Sequence, residues 1–167
     1  RFAKAGQSYH AHAIVQKQIA QQLAEYMQQY LSEYCSRYIS GRYLEIGCGS
    51  GHLSQILLQQ NSYFQPTTYY CNDLYSEVQQ HFAVDTRLHW LIGNIERLAL
   101  PGQLDLIVSS SALQWMQDID ALLEKMHAAL KPHAFLCFSS FGADNLNQIK
   151  RLTGQGLDYL SLEQWQV

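Results

Sequence analysis

Between Arg42 and Gly51 the chain reads R-Y-L-E-I-G-C-G-S-G, and no other stretch is better suited to holding a ligand. Gly47, Gly49 and Gly51 fall on alternate positions after a short apolar run, with Cys48 between the first two. Ser50 then opens a helical pattern with Leu53, Ile56 and Leu57 on one face. Strand, glycine turn and helix in that order bring a ligand against bare backbone, because glycine lacks a Cβ and tolerates positive φ. Glu45, two residues before the first glycine, decides which charge is welcome: it repels a pyrophosphate and attracts a cation. A dinucleotide turn would also need a third glycine in G-x-G-x-x-G, where this chain has His52. A plain tight turn in an α/β domain and a nicotinamide-dinucleotide site both stay open as alternatives.

The carboxylate and the spacing favour a ligand such as S-adenosylmethionine, which carries a sulfonium and an ammonium group but no phosphate. In an open parallel sheet the ligand lies beyond the carboxyl ends of the strands. Asp73 and Leu74 follow a β-branched and aromatic run, Thr67 to Asn72, about twenty residues beyond the glycines, where an acid can accept from ribose hydroxyls. Asp73 could instead cap the turn that follows it. Gly93, Asn94 and Ile95 close a third strand, Leu88 to Ile92, and Ser109 and Ser110 close a fourth, Leu104 to Ser109, under the expected methionine end.

The elements that position these residues alternate along the chain. Ile14, Ile19, Leu23, Met27 and Leu31 repeat at helical intervals within the first forty residues, and Tyr26, Tyr30 and Tyr34 line one face that should pack on the sheet. Gly41 ends that segment. Asp120 is placed to cap a helix carrying Leu122, Leu123, Met126 and Leu130, and Ala134 to Ser139 is apolar enough to be a strand buried on both faces. Helices between every pair of strands predict a doubly wound parallel sheet.

A chain of 167 residues suits one domain with a real core, and no repeat or linker divides it. A net charge of −3, with no basic block, argues against a nucleic-acid partner. No apolar run is long enough to span a membrane, and the opening Arg-Phe-Ala-Lys lacks a signal-peptide core. Cys35, Cys48, Cys71 and Cys137 show no C-x-x-C, and the histidines show no metal spacing; a reduced, cytoplasmic setting without a metal is expected.

The pattern E-x-G-x-G-x-G resembles the first motif of class I S-adenosylmethionine-dependent methyltransferases. Beyond it, R-F-x-x-A-x-x-S-Y (Arg1 to Tyr9), G-N-I-E (Gly93 to Glu96), A-L-Q-W (Ala112 to Trp115), F-S-S-F-G (Phe138 to Gly142) and L-T-G-x-G-L-x-Y-L-S-L (Leu152 to Leu162) resemble the malonyl-acyl-carrier-protein O-methyltransferases of biotin synthesis over nearly the whole chain. The resemblance implies methyl transfer from S-adenosylmethionine to the free carboxylate of a malonyl thioester on an acyl-carrier protein. It implies that Asn94, where the family usually has Asp, accepts from the adenine amino group, and that Ser110 stands where several relatives have Asn. It makes Tyr9 the first choice for positioning the acceptor carboxylate and Lys150 and Arg151 the candidate cations. His10 and His12 carry less weight as lid residues, and Gln114 and Trp115 shape the acceptor mouth.

The implied fold is a Rossmann-like sheet in order 3-2-1-4-5, with the family's two C-terminal strands missing from this chain. Within the single domain, 1–40 would be a helical cap, 41–140 the cofactor core and 141–167 the start of an incomplete acceptor region. An uncovered fifth strand would offer an edge for dimerisation. A methyltransferase for another small acceptor and an inactive cofactor-binding fragment are the competing readings.

Overall fold

The computed structural model describes residues 8–34, 39–59, 63–145, 150–152, 154 and 159–165, with side chains from residue 14 onward. Helix α1 (Ser8–Tyr34) leads into β1 (Ile39–Ile46), α2 (His52–Leu57) and β2 (Phe64–Asp73). A 3-10 turn, Ser76–His81, precedes β3 (Leu88–Ile92), and β4 (Leu104–Ser110) follows. A second 3-10 turn, Leu113–Trp115, leads to α3 (Ile119–Ala129), β5 (Leu130–Ser139) and a single helical turn, Leu162–Trp165.

The five strands form one sheet in the order β3-β2-β1-β4-β5, all pairs parallel, as the alternation of elements predicts. Going outward from β1 to β2 to β3 and then back across to β4 and β5 puts the reversal of strand order at β1. That switch leaves a crevice at the carboxyl ends of β1 and β4, the place where such sheets bind ligands.

Alternation along the central strands builds a core on each face. Tyr43, Leu106 and Val108 turn towards a cluster completed by Met27 and Leu31 of α1 and by Leu53 and Leu57 of α2. Leu44, Ile46 and Ile107 turn the other way, onto Leu122 and Met126 of α3. Both faces of β1 and β4 are therefore dry, which explains why their sequences read as nearly continuous apolar runs. Pro66 sits inside β2 opposite Gly41, at the point where the β1–β2 register slips. A proline is tolerated there because the ladder is already interrupted.

Several expected boundaries shift. Gly41 lies within β1 and does not end the preceding helix. Asp118, not Asp120, caps α3: its carboxylate accepts from the Ala121 N–H at 3.1 Å, and Asp120 falls in the first turn. A full helix does not separate every strand pair, since only the 3-10 turn joins β2 to β3 among the described residues. The tyrosine line on α1 is also corrected. Tyr26, Tyr30 and Tyr34 are 58%, 57% and 76% exposed, while Ala20, Ala24, Met27 and Leu31 form the buried face. Small residues at 20 and 24 let the helix approach the sheet, and the bulkier tyrosines are turned out to solvent.

This division predicts opposite responses to truncation. Met126→Ala, which empties a fully buried site between α3 and the sheet, should cost about 2–5 kcal/mol in urea unfolding, while Tyr34→Ala should stay within about 0.5 kcal/mol of the parent. Equal losses would contradict the assignment of the buried face.

Candidate functional site

A cavity of about 630 Å³ opens at the carboxyl ends of the strands, a size typical of small-molecule sites. The glycine turn forms one wall. Gly47, Cys48 and Gly49 line it together with Glu45, Asp73 and Leu74, and the end of β3 adds Gly93, Asn94 and Ile95. These expected positions, spread over fifty-odd residues of sequence, are thus brought to one crevice.

The three glycines serve different ends although all have positive φ. A Cβ on Gly47 would lie 2.4 Å from the Ala112 Cβ, so this glycine lets the loop after β4 close on the turn. A Cβ on Gly51 would meet the Phe82 ring at 2.9 Å; Gly51 is therefore a packing residue off the cavity wall, not the ligand contact expected of it. A Cβ on Gly49 would meet nothing within 4 Å. It alone presents bare backbone to open space.

Two carboxylates brace the turn. Asp73 accepts from the Gly49 N–H at 2.9 Å and from the Tyr75 N–H at 3.1 Å, so it does form the expected turn contact as well as facing the cavity. A carboxylate has about four acceptor positions, which leaves capacity for a ligand. Glu45 is 1% exposed and accepts from Ser54 and from the Tyr69 hydroxyl, the latter at 2.7 Å. Burial pushes its pKa up to about 7 against these two hydrogen bonds, with the charge of Asp73 adding to the rise. Glu45 therefore holds a proton readily near neutral pH, and a cationic ligand beside it would favour the ionised form.

At the far end, Asn94 Oδ1 accepts from the Glu96 N–H at 2.8 Å, which leaves one lone pair of that oxygen for a ligand. Glu96 Oε1 accepts from the N–H groups of Gln117 and Asp118, both at 2.8 Å, and so fastens the loop after β4 to the end of β3. The G-N-I-E run is in this respect a clasp between two cavity walls.

Other expected positions fall elsewhere. Ser109 is fully buried and donates to the Ile46 carbonyl at 3.0 Å; it ties β4 to β1, and Ser110, Ser111 and Ala112 line the cavity in its place. The strand alternates, so an error of one residue at its end exchanges wall for core. Arg151 is exposed and off the cavity wall. Tyr9 lies on α1, but its side chain is outside the described set, as are those of His10 and His12. Hydrogen bonding to the Cys71 thiol and burial push the pKa of Cys48 up, which favours its neutral thiol. Trp115 lines the cavity, whereas Gln114, expected beside it at the mouth, is not among the lining residues and donates to the Ser111 carbonyl at 2.7 Å. Sequence reasoning missed Gln16, Tyr75, Val78, His81 and Gln117 on the wall. All but Gln16 lie in loops after parallel strands, and that position was the available signal.

Residues 44–136 match the family described as Methyltransferase domain. The chain belongs to this family. Relatives that carry the name malonyl-acyl-carrier-protein O-methyltransferase include the protein of Acinetobacter baylyi, 51% identical over all 167 residues, and that of Prosthecochloris aestuarii, 38% identical over the whole chain. The chain spans 62% of the length of each. Among solved structures, the plantazolicin methyltransferase BpumL in complex with SAH is similar over 96% of this chain and 65% of its own, with a TM-score of 0.74 at 14% identity. An S-adenosylmethionine-dependent methyltransferase from Clostridium acetobutylicum is similar over 85% of this chain and 61% of its own, with a TM-score of 0.65 at 16% identity. These similarities concern the Rossmann-like methyltransferase fold.

Within this methyltransferase domain the raised pKa of Glu45 has a measurable sign. Its ordinary value is 4.5 and its folded value about 7, so the folded state holds the extra proton between those limits. Stability should therefore fall as pH rises from about 4.5 to 7, by roughly 3 kcal/mol for this group. Unfolding curves at pH 5.5 and 8 should show about 2 kcal/mol of that loss in the parent and a smaller one in Glu45→Gln. A parent with more stability at pH 8 would contradict the buried, protonated carboxylate.

Proposed function

We propose that this domain binds S-adenosylmethionine in the cavity at the carboxyl ends of β1, β2 and β4 and transfers its methyl group to the free carboxylate of malonyl-acyl-carrier protein. The observation that carries the proposal is the 51% identity to a malonyl-acyl-carrier-protein O-methyltransferase over all 167 residues of this chain. The ligand supplies an electrophilic methyl on a sulfonium, and the remaining work falls to the protein.

The walls fit such a ligand. Gly49 leaves open space for close approach, Asp73 retains acceptor capacity for ribose hydroxyls, and Asn94 retains one lone pair for an adenine amino group. Glu45, once ionised beside a cationic ligand, would supply negative charge behind the turn. Cys48, Leu74, Gly93 and Ile95 complete the walls against which the ligand would pack.

The acceptor half follows from its chemistry. A malonyl carboxylate is already ionised at neutral pH, so no general base is required. The protein must hold one carboxylate oxygen in line with the methyl, at roughly 3 Å, and keep water away from it. Tyr9 and Arg151 are assigned this acceptor role by family resemblance, with 1–40 as cap, 41–140 as cofactor core and 141–167 as the start of the acceptor region. Among the described residues no helix is long and apolar enough to cross a membrane.

Calorimetry with S-adenosylhomocysteine tests the donor half. The parent should bind; Asp73→Ala and Gly49→Ala should weaken binding about tenfold or more, the first by removing an acceptor and the second by filling the open space. Absence of binding by the parent, or indifference to both changes, would defeat the assignment. For the acceptor half, methyl transfer to malonyl-acyl-carrier protein should exceed that to unrelated acids, and Tyr9→Phe should lower turnover with donor binding intact.

A further inference from the structure

The loop after β4 runs from the glycine turn to the end of β3 and is anchored at both ends. At its start the Ser111 N–H donates to the Ser139 carbonyl of β5 at 3.0 Å, and Ala112 packs against Gly47. Leu113, 1% exposed, then joins Leu122 and Met126 in the core. At its far end the Gln117 and Asp118 N–H groups both donate to Glu96 Oε1 at 2.8 Å. The backbone of Glu96 is itself held from α3, because Lys125 Nζ donates to the Ile95 and Glu96 carbonyls at 3.0 and 3.3 Å. Between the anchors Trp115 and Met116 line the cavity. Their own N–H groups bond to the Ala112 and Leu113 carbonyls, both at 3.1 Å, which shapes the 3-10 turn from within. Glu96 is what ties the end of that turn to the neighbouring wall.

The sheet order separates the cavity into two halves. Gly49, Asp73 and Asn94, the residues fitted to the methyl donor, come from the ends of β1, β2 and β3. The loop after β4 lies on the other side of the switch, and from Ser110 to Gln117 it carries no charged side chain. Its indole is 55% exposed, so a large apolar surface faces whatever fills that half. A methyl displaced in line is attacked from the side away from its sulfur, so the acceptor approaches from a wall that the donor does not occupy. An uncharged apolar wall suits the methylene and thioester of an acyl group and keeps water from the carboxylate beside them.

We infer that Glu96 is a positioning residue for the acceptor: by holding the far end of the loop after β4, it sets Trp115 and Met116 as the apolar surface on which the acyl thioester lies. The inference rests on the methyltransferase reading. In this role Glu96 acts through the indole and not on the reacting atoms. Its loss therefore weakens the acceptor and spares the donor, since the Glu96 N–H that bonds Asn94 Oδ1 belongs to the backbone and survives substitution.

The experiment is a double-mutant cycle read by calorimetry, first with S-adenosylhomocysteine and then with malonyl-acyl-carrier protein added to the chain saturated with S-adenosylhomocysteine. Glu96→Ala and Trp115→Ala should each weaken the carrier substrate about tenfold and change S-adenosylhomocysteine by less than about twofold. Glu96→Gln should recover part of the loss, because its amide oxygen still accepts from the loop. The double variant Glu96→Ala/Trp115→Ala should bind the carrier substrate no worse than Trp115→Ala alone, as expected when one residue acts through the other. Losses that multiply, no loss in Glu96→Ala, or equal weakening of S-adenosylhomocysteine overturns the inference and leaves the donor half of the proposed function standing. A parent that binds S-adenosylhomocysteine but not the carrier substrate overturns the acceptor half, and this inference with it; a parent that binds neither overturns the proposed function itself. Thermal unfolding controls for folding, and if Glu96→Ala does not fold, Glu96→Gln completes the same cycle with Trp115→Ala.

Discussion

The buried carboxylate of Glu45 is the constraint on which the site depends. It lies on the central strand and is held by a hydroxyl from α2, Ser54, and another from β2, Tyr69. Three consecutive elements of the chain therefore meet on one side chain. Removing any one of the three groups leaves a buried polar atom without its partner, so the arrangement is cooperative and hard to vary piecemeal. The glycine turn begins two residues beyond this junction, and its shape is inherited from it.

Around that junction the walls are fastened in pairs. Asp73 fixes Gly49, which joins the end of β2 to the turn after β1. Asn72 Nδ2 donates to the Leu91 and Gly93 carbonyls at 2.7 and 3.1 Å, which joins β2 to the end of β3. Glu96 then reaches the loop after β4. Asp73, Asn72 and Glu96 thus each line the cavity and also hold a neighbouring strand end or loop. The cavity is pre-formed because its lining and its scaffold are the same residues, which lowers the ordering cost of binding.

Much of this was legible in the sequence for identifiable reasons. The alternation of helices and strands pointed to the parallel sheet, and the strand order followed from the family resemblance. The glycine spacing with Glu45 located the site and the sign of its ligand's charge. What the sequence hid depended on tertiary packing. Gly47 and Gly51 look like equal members of a ligand turn, yet they answer to Ala112 and Phe82, residues far along the chain. Ser109 and Ser110 are indistinguishable as neighbours until the strand's pleat assigns one to the core and the other to the wall. The α1 tyrosines share a helical face, but only the sheet decides that Ala20 and Ala24 are the ones it accepts. His52 stands out in the sequence only as a glycine that is missing, yet it lines the cavity.

The central claim is that one crevice, built on the Glu45 junction, receives the methyl donor. A crystal structure of the chain with S-adenosylhomocysteine tests it most directly. The account predicts ligand density between Gly49 and the end of β3, with ribose oxygens on Asp73 and the thioether end beside the Glu45–Gly49 turn. Density at another face of the sheet, or a ligand whose ribose avoids Asp73, would contradict it.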